Sequence, residues 1–345
     1  MQATFLTLRG LSQADAAGRF EHFPARYLKY LTAVASVSSI CYPSGSRKWL
    51  SRRLRLLAVA ATRGNAARLW LGAAASCVLL QRVATARPLV LEKPFRPLGA
   101  LGLCFYERAR LMIEHYAVMA AMVPACVCDR IYMSGGLTWT SADGGYQLRL
   151  ADPGPNPKEG ELAFYWIDQE AGICLAQLSF YLRQGPAGPE VFIGGLQGTM
   201  GETARERIRI ATRACEGLRP KDVVMEALLA FAGHIGARRV TAVSRANHVG
   251  RQRHTPREIQ CDYEGFWMEY HGTPDAAGNI EIPVRQPERD IAEIASKKRS
   301  AWRRKQALAQ TVRGAVSQWL DVDGAEAANT PAVAESMGLA VGVAA

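Results

Sequence analysis

Residues 217–244, Gly-Leu-Arg-Pro-Lys-Asp-Val-Val-Met-Glu-Ala-Leu-Leu-Ala-Phe-Ala-Gly-His-Ile-Gly-Ala-Arg-Arg-Val-Thr-Ala-Val-Ser, decide how the rest of the chain is read. Pro220 suits a first helical position, where its missing N–H costs nothing, and Asp222 follows in the first turn, where the helix dipole favours an anion. Val224, Leu228, Phe231, Ala232 and Ile235 then fall on one helical face, and Gly236 supplies a stop. Arg239–Ser244 reads as a short strand. A helix in front of it implies a crossover, so the strand is expected to lie parallel to a neighbour.

Upstream the hydrophobic period is two. Leu137–Thr140, the turn Asp143-Gly144-Gly145 and Tyr146–Leu150 spell a hairpin. Strands are expected at Glu161–Ile167, Gly172–Leu182 and Glu190–Leu196, separated by Asp168–Ala171 and the Gly/Pro-containing loop Arg183–Pro189. Short connections make this an antiparallel meander. Mounted in one sheet with the 217–244 unit, it gives an α+β fold: an antiparallel-rich mixed sheet flanked by helices.

Outside this core the pattern is helical. Ser46 to about Arg87 reads as helix, ending at Pro88, and Pro94 and Pro97 mark an ordered linker. A helix is expected from about Leu103 to Met122, an Arg-rich one over Thr203–Glu216, an aromatic one over Tyr263–Tyr270 capped by Asp262, a strand over Ile280–Val284, and a long helix from Pro287 to about Leu320. Ile291, Ile294, Ala295, Trp302, Ala309 and Val316 form the inward seam of that last helix. The resulting divisions are a poorly patterned N-terminus (1–43), a basic helical region with a Pro linker (44–100), the α/β core with its C-terminal helix (101–320) and an unpatterned, disordered tail (321–345).

Composition limits the function classes. At 345 residues, 49% hydrophobic and 21% charged, the chain is globular rather than disordered or fibrous. It has no apolar run long enough to span a membrane; Leu69–Leu80, interrupted by Gly72 and Ser76, reads as a buried or interfacial helix. The first residues show no export leader, so a cytoplasmic protein is expected. The eight cysteines (Cys41, Cys77, Cys104, Cys126, Cys128, Cys174, Cys215, Cys261) are scattered without a Cys-x-x-Cys pair and read as reduced core residues, with no metal site.

The net charge of +11 is uneven: residues 44–100 carry 11 basic side chains against one acid, Glu92. Arg52, Arg53 and Arg55 lie among leucines, a pattern that suits an anionic membrane surface as well as a solvated helical subdomain, with nucleic acid ranked below both. Lys297, Lys298, Arg299 and Arg303 form a second cationic cluster that suits lipid phosphates or RNA, or simply keeps its helix soluble.

Seven blocks together resemble the VirK/YbjX family of Gram-negative bacteria: Glu92-Lys93-Pro94-Phe95-Arg96-Pro97; Glu114-His115-Tyr116; Gly194-Gly195-Leu196-Gln197-Gly198; Ala211-Thr212 with Gly217–Lys221; Val243-Ser244 with His248-Val249; Asp262–Trp267; and Ser296–Ser300. They occur in the family's order over about residues 46–320. The resemblance implies a cytoplasmic or peripheral inner-membrane protein supporting envelope integrity, surface display of virulence proteins or resistance to antimicrobial peptides, and no agreed reaction. Where the family commonly has a histidine before Gly-Leu-Arg-Pro-Lys, this chain has Cys215-Glu216.

The element order is also similar to the GNAT acyltransferase fold, which holds a pyrophosphate at a helix N-terminus. That similarity points to Leu218, Arg219 and Lys221 as a phosphate site for acyl-coenzyme A and to Tyr263 as an acid; His248, in the loop at the carboxyl end of the Arg239–Ser244 strand, reads as a hydrogen-bonding partner or a general base. The Arg/Gln-x-x-Gly-x-Gly/Ala signature is missing and Pro220 removes an amide, so a plain helix start is the preferred reading of 217–221. Two functions follow: a membrane-surface factor without turnover, and an acyl- or aminoacyltransferase. An RNA-binding regulator ranks third, since no RNA-binding signature occurs.

Overall fold

The computed structural model describes residues 23–45, 48–252, 262–287 and 290–321. Its sheet begins as the expected meander: β1 (Leu137–Thr140), β2 (Tyr146–Ala151), β3 (Leu162–Asp168), β4 (Ile173–Gly185) and β5 (Gly188–Gly198), each antiparallel to the next. β6 (Arg239–Ala242) joins parallel to β5, and the antiparallel β8 (Ile280–Ile282) and β7 (Thr273–Pro274) complete the order β1-β2-β3-β4-β5-β6-β8-β7. The 217–244 unit and the meander therefore share one sheet. The expected loop Arg183–Pro189 is mostly strand instead: pairing continues to Gly185 opposite Gly188, leaving Pro186 and Ala187 to turn. Gly188 makes this tight reversal at φ 132°, a conformation side chains disfavour.

The helices are α1 (Phe23–Cys41), α2 (Trp49–Thr62), α3 (Gly64–Ser76), α4 (Val78–Ala86), α5 (Phe105–Met122), α6 (Ala125–Met133), α7 (Ala204–Ala214), α8 (Pro220–His234), α9 (Tyr263–Glu269) and α10 (Ser296–Leu320). Within the stretch 1–43, read as poorly patterned, Phe23–Cys41 forms α1, and residues 1–22 lie outside the described residues. α1 buries Tyr30, Ala33, Val34 and Val37, while Thr32, Ser36 and Ser39 bond back to carbonyls four residues earlier, so its polar residues do not break it. No single described helix is long and apolar enough to cross a membrane; α3 and α4 pass that test only as a pair bent by 95°.

Adjacent residues on a strand face opposite ways, which sorts the layers. Phe164 and Phe180 meet Phe231 of α8, with ring centroids 6.3 and 5.5 Å away. Tyr181, on the other face, meets His115 of α5 at 6.2 Å. α8 buries Val223, Val224, Ala227, Leu228, Phe231 and Ala232, and each large apolar side chain removed from water contributes about 1.5–3 kcal/mol. α10 packs on the outer side of α8 through Ala309, Val312, Ala315 and Val316. α10 begins at Ser296 rather than at Pro287, because Asp290 accepts the Ala292 amide and caps a separate short turn, Ile291–Glu293. Of the expected seam Ile294, Ala309 and Val316 are buried, Ile291 and Trp302 are half-buried, and Ala295 is exposed. Asp321 closes the described chain, and the tail expected to be disordered lies outside the described residues.

Candidate functional site

The chain between β2 and β3, residues 152–160, folds back over the sheet face that carries Gln177 and Ser179. Gln177 Nε2 donates to the Pro153 carbonyl (2.9 Å), and its Oε1 accepts from Asn156 Nδ2 (3.0 Å), which pins the loop. At the loop's end Glu159 lies directly on β5. A Cβ at Gly194 would come within 2.1 Å of the Glu159 carbonyl oxygen, and one at Gly195 within 2.1 Å of Glu159 Oε2. Gly194 is also the extra residue of a β-bulge, since Ser179 pairs with Gly195 and Phe180 with Ile193. Glycines at 194 and 195 are what let this carboxylate reach the sheet.

Glu159 Oε1 receives a hydrogen bond from Gln197 Nε2 (2.9 Å) and faces His248 Nε2 at 3.4 Å. His248 Nδ1 accepts the Gly250 amide (3.0 Å), so the neutral ring carries its proton on Nε2, toward the carboxylate. Glu159 Oε2 is buried and has no hydrogen-bond partner among the described residues. A carboxylate fixed at one oxygen and unpaired at the other, where it lies buried against Gly195, is the candidate proton acceptor of this centre. The side chains are only 10% and 5% exposed.

Sequence reasoning singled out His248 and Tyr263, and the structure brings them together: their rings stack at 5.4 Å, and Tyr263 stacks in turn on Trp267 at 5.9 Å. The Tyr263 hydroxyl accepts the Leu196 amide (3.2 Å), and Trp267 Nε1 donates to the Val243 carbonyl (3.0 Å). α9 thereby fills the fork where β5 and β6 separate beyond the Val243-to-Ile193 hydrogen bond. Asp262 caps α9 as expected, accepting the Gly265 amide at 2.9 Å. Glu159 was missed; its only sequence signal is a Lys-Glu-Gly-Glu run after prolines, which says nothing of Gly195, Gln197 or His248.

The Leu218–Lys221 turn is differently occupied. Leu218 is core, and Lys221 Nζ lies over the Phe266 ring at 5.8 Å. Arg219 forks onto Asp222 (2.9 and 2.7 Å) and also reaches Glu269, and these hydrogen bonds, Asp222 first, raise its basicity further. Asp222 is buried inside the first turn of α8, where Lys305 also approaches at 3.5 Å. A pyrophosphate at this helix start would meet that carboxylate and compete for a guanidinium already engaged, so these residues do not fit a coenzyme A phosphate.

A second buried polar centre joins the N-terminal layer to the sheet. Lys93 pairs with Glu161 and donates to the Gly160 carbonyl (3.2 Å), while the Tyr116 hydroxyl donates to Glu161 Oε2 (2.6 Å). Burial, aided by the Arg87 charge and opposed by Asp152, pulls the Lys93 ammonium down to about 7. Burial also pushes the Cys41, Cys128, Cys174 and Cys215 thiols up to about 12, as inert core cysteines require. Among the described residues no cluster of His, Cys, Asp or Glu could hold a metal ion.

The surface cations divide. Arg53 donates to the carbonyls of Tyr42 (2.7 Å) and Ser39 (3.4 Å), closing the end of α1, and Arg52 covers the Tyr42 ring at 5.5 Å. Arg55 is exposed. Arg299 is held by the Ile294 carbonyl (2.9 Å), whereas Lys297, Lys298 and Arg303 make no ion pair among the described residues.

Residues 45–318 match the model of a family described as a protein of unknown function, DUF535. The chain is 32% identical over 236 residues to the uncharacterized protein YbjX of Escherichia coli K12, covering 66% of this chain and 71% of that one. An uncharacterized protein of Haemophilus influenzae is 23% identical over 163 residues, which is 47% of this chain and 53% of the relative. No solved structure matches significantly. A family match from the basic helices through α10, together with 32% identity to YbjX over 66% of the chain, makes this chain a member of the DUF535 family.

Proposed function

We propose that this chain is a GNAT-like acyltransferase in which Glu159, held by Gln197 and facing His248, is the proton acceptor. The buried, half-satisfied Glu159 carboxylate at the fork of the sheet is the observation that carries this reading. A parallel pair reached through a helix, a glycine bulge on the first strand of that pair and an antiparallel strand inserted at β8 support the GNAT comparison. In the step, an amine or hydroxyl of the acceptor attacks a thioester. Its proton passes to Glu159 as the new acyl–nitrogen or acyl–oxygen bond forms and the acyl–sulfur bond breaks; the thiolate departs into solvent, and Glu159 afterwards returns its proton to water. The carrier of the thioester is not assigned to coenzyme A, because the Leu218–Lys221 turn does not suit its phosphates. Thiol release from acyl-coenzyme A and acyl carrier protein, with melting shifts for each, tests the reading. Glu159→Gln is expected to lose about 10²–10⁴-fold in rate while still folding. Absence of thiol release, with full complementation of a deletion by Glu159→Gln and His248→Ala, ends it.

A membrane-surface role is favoured by one further observation. Leu50 and Leu54, four residues apart on α2, are 54% and 57% exposed beside Arg55. This stripe suits a peripheral association with an anionic inner-membrane surface, where envelope or virulence proteins would be supported. Leu50→Ser/Leu54→Ser/Arg55→Glu is expected to abolish cosedimentation with phosphatidylglycerol vesicles at an unchanged melting temperature.

A further inference from the structure

A cleft of about 1340 Å³ opens between α8, α10 and residues 284–287, on the side of the molecule away from Glu159. It exceeds the roughly 300–1,000 Å³ of ordinary small-molecule sites. Its lining is mixed: Leu229 (buried), Val284 and Trp302 (both half-buried) stand among Gln286, Gln306 and Gln310. Its rim carries Arg238, Arg285 and Arg303, none of which makes an ion pair among the described residues. The carboxylates in the cleft are already matched: Glu226 is held by Arg313 at 2.6 Å and Glu269 by Arg219. Leu229, Val284 and Trp302 beside three guanidinium groups without an ion pair among the described residues favour one ligand chemistry, an alkyl or acyl chain ending in a phosphate, since arginine forks match phosphate oxygens.

We infer that this cleft binds an alkyl phosphate, the chain along Leu229, Val284 and Trp302 and the phosphate at the arginine rim. The site is independent of Glu159 and stands whether or not acyl transfer occurs. Calorimetric titration of the full chain with dodecyl phosphate, below its micelle concentration, tests it against inorganic phosphate and the uncharged dodecyl maltoside. Dodecyl phosphate is expected to bind at least tenfold more tightly than either. Arg285→Ala/Arg303→Ala is expected to weaken it by about tenfold or more, and Ala307→Trp, which fills the cleft from its exposed edge, to weaken it without touching a charge. Equal binding of dodecyl maltoside, or unchanged affinity in both variants, overturns the site. Phosphatidylglycerol vesicles pelleting the wild type but not the arginine variant identify a lipid headgroup as the source; dodecyl phosphate binding without such a difference identifies a free amphiphile.

Discussion

A methyl group at position 195 would press on the tip of a flexible glutamate, whereas one at 194 would press on a carbonyl oxygen at the same 2.1 Å. The side chain can swing aside and the backbone cannot, so Gly194→Ala is expected to cost more than Gly195→Ala, both within about 1–3 kcal/mol, as read from urea midpoints. His115 offers a pH test. Its Nδ1 accepts the Leu182 amide (3.1 Å), and Nε2 faces the Tyr132 hydroxyl at 2.6 Å. Burial first, then the Lys93 and Arg87 charges, hold the ring well below the ordinary histidine range. As pH falls below about 6.5, the unfolded chain gains a proton that the folded one refuses, and stability drops by up to about 1.4 kcal/mol per pH unit. His115→Gln is expected to flatten that slope between about pH 6.5 and 5.5 relative to wild type. At this scale the sequence was only half legible. His248 and Tyr263 stood out as loop and helix residues after strands, but Glu159 gains its meaning from Gly195 and His248, far away in the chain.

At the scale of elements, local signals served well where the punctuation is local. Pro220, Asp222 and Gly236 bracket α8 as read, and Gly236 takes φ 64° at its end. The hairpin register, Leu137 opposite Leu150, follows from its own turn. The misread pieces share a cause. Gly185 and Gly188 look like loop residues until a partner strand pairs them, and Asp290 starts a turn that merely precedes a helix. Asp222 ties three elements, reaching Arg219, Lys305 and the Tyr270 hydroxyl (3.4 Å). Its partners are partly exposed, so Asp222→Ala strands no fully buried charge and is expected to cost about 1–3 kcal/mol. Arg219→Ala, from the exposed side of the same pair, is expected to cost about 1 kcal/mol or less. Equal midpoints for the two variants would contradict that ordering.

For the whole molecule, the sheet separates two helical layers of different character. The N-terminal layer carries the excess of positive charge and reaches the sheet through Lys93 and Glu161, while α8 and α10 close the other face by apolar contact. Val316 of α10 is fully buried where that helix packs on the outer side of α8. Val316→Asp puts an unpaired carboxylate there and is expected to unfold or loosen the protein by several kcal/mol, seen as early proteolysis within α10. The same packing bears on synthesis. α8 leaves the ribosome well before the segment 309–320 that covers its outer side. At roughly 5–20 residues per second, the nascent chain holds that oily surface open for on the order of ten seconds. A chain stalled or cut short before α10 would keep it open indefinitely, a standing invitation to chaperones and proteases.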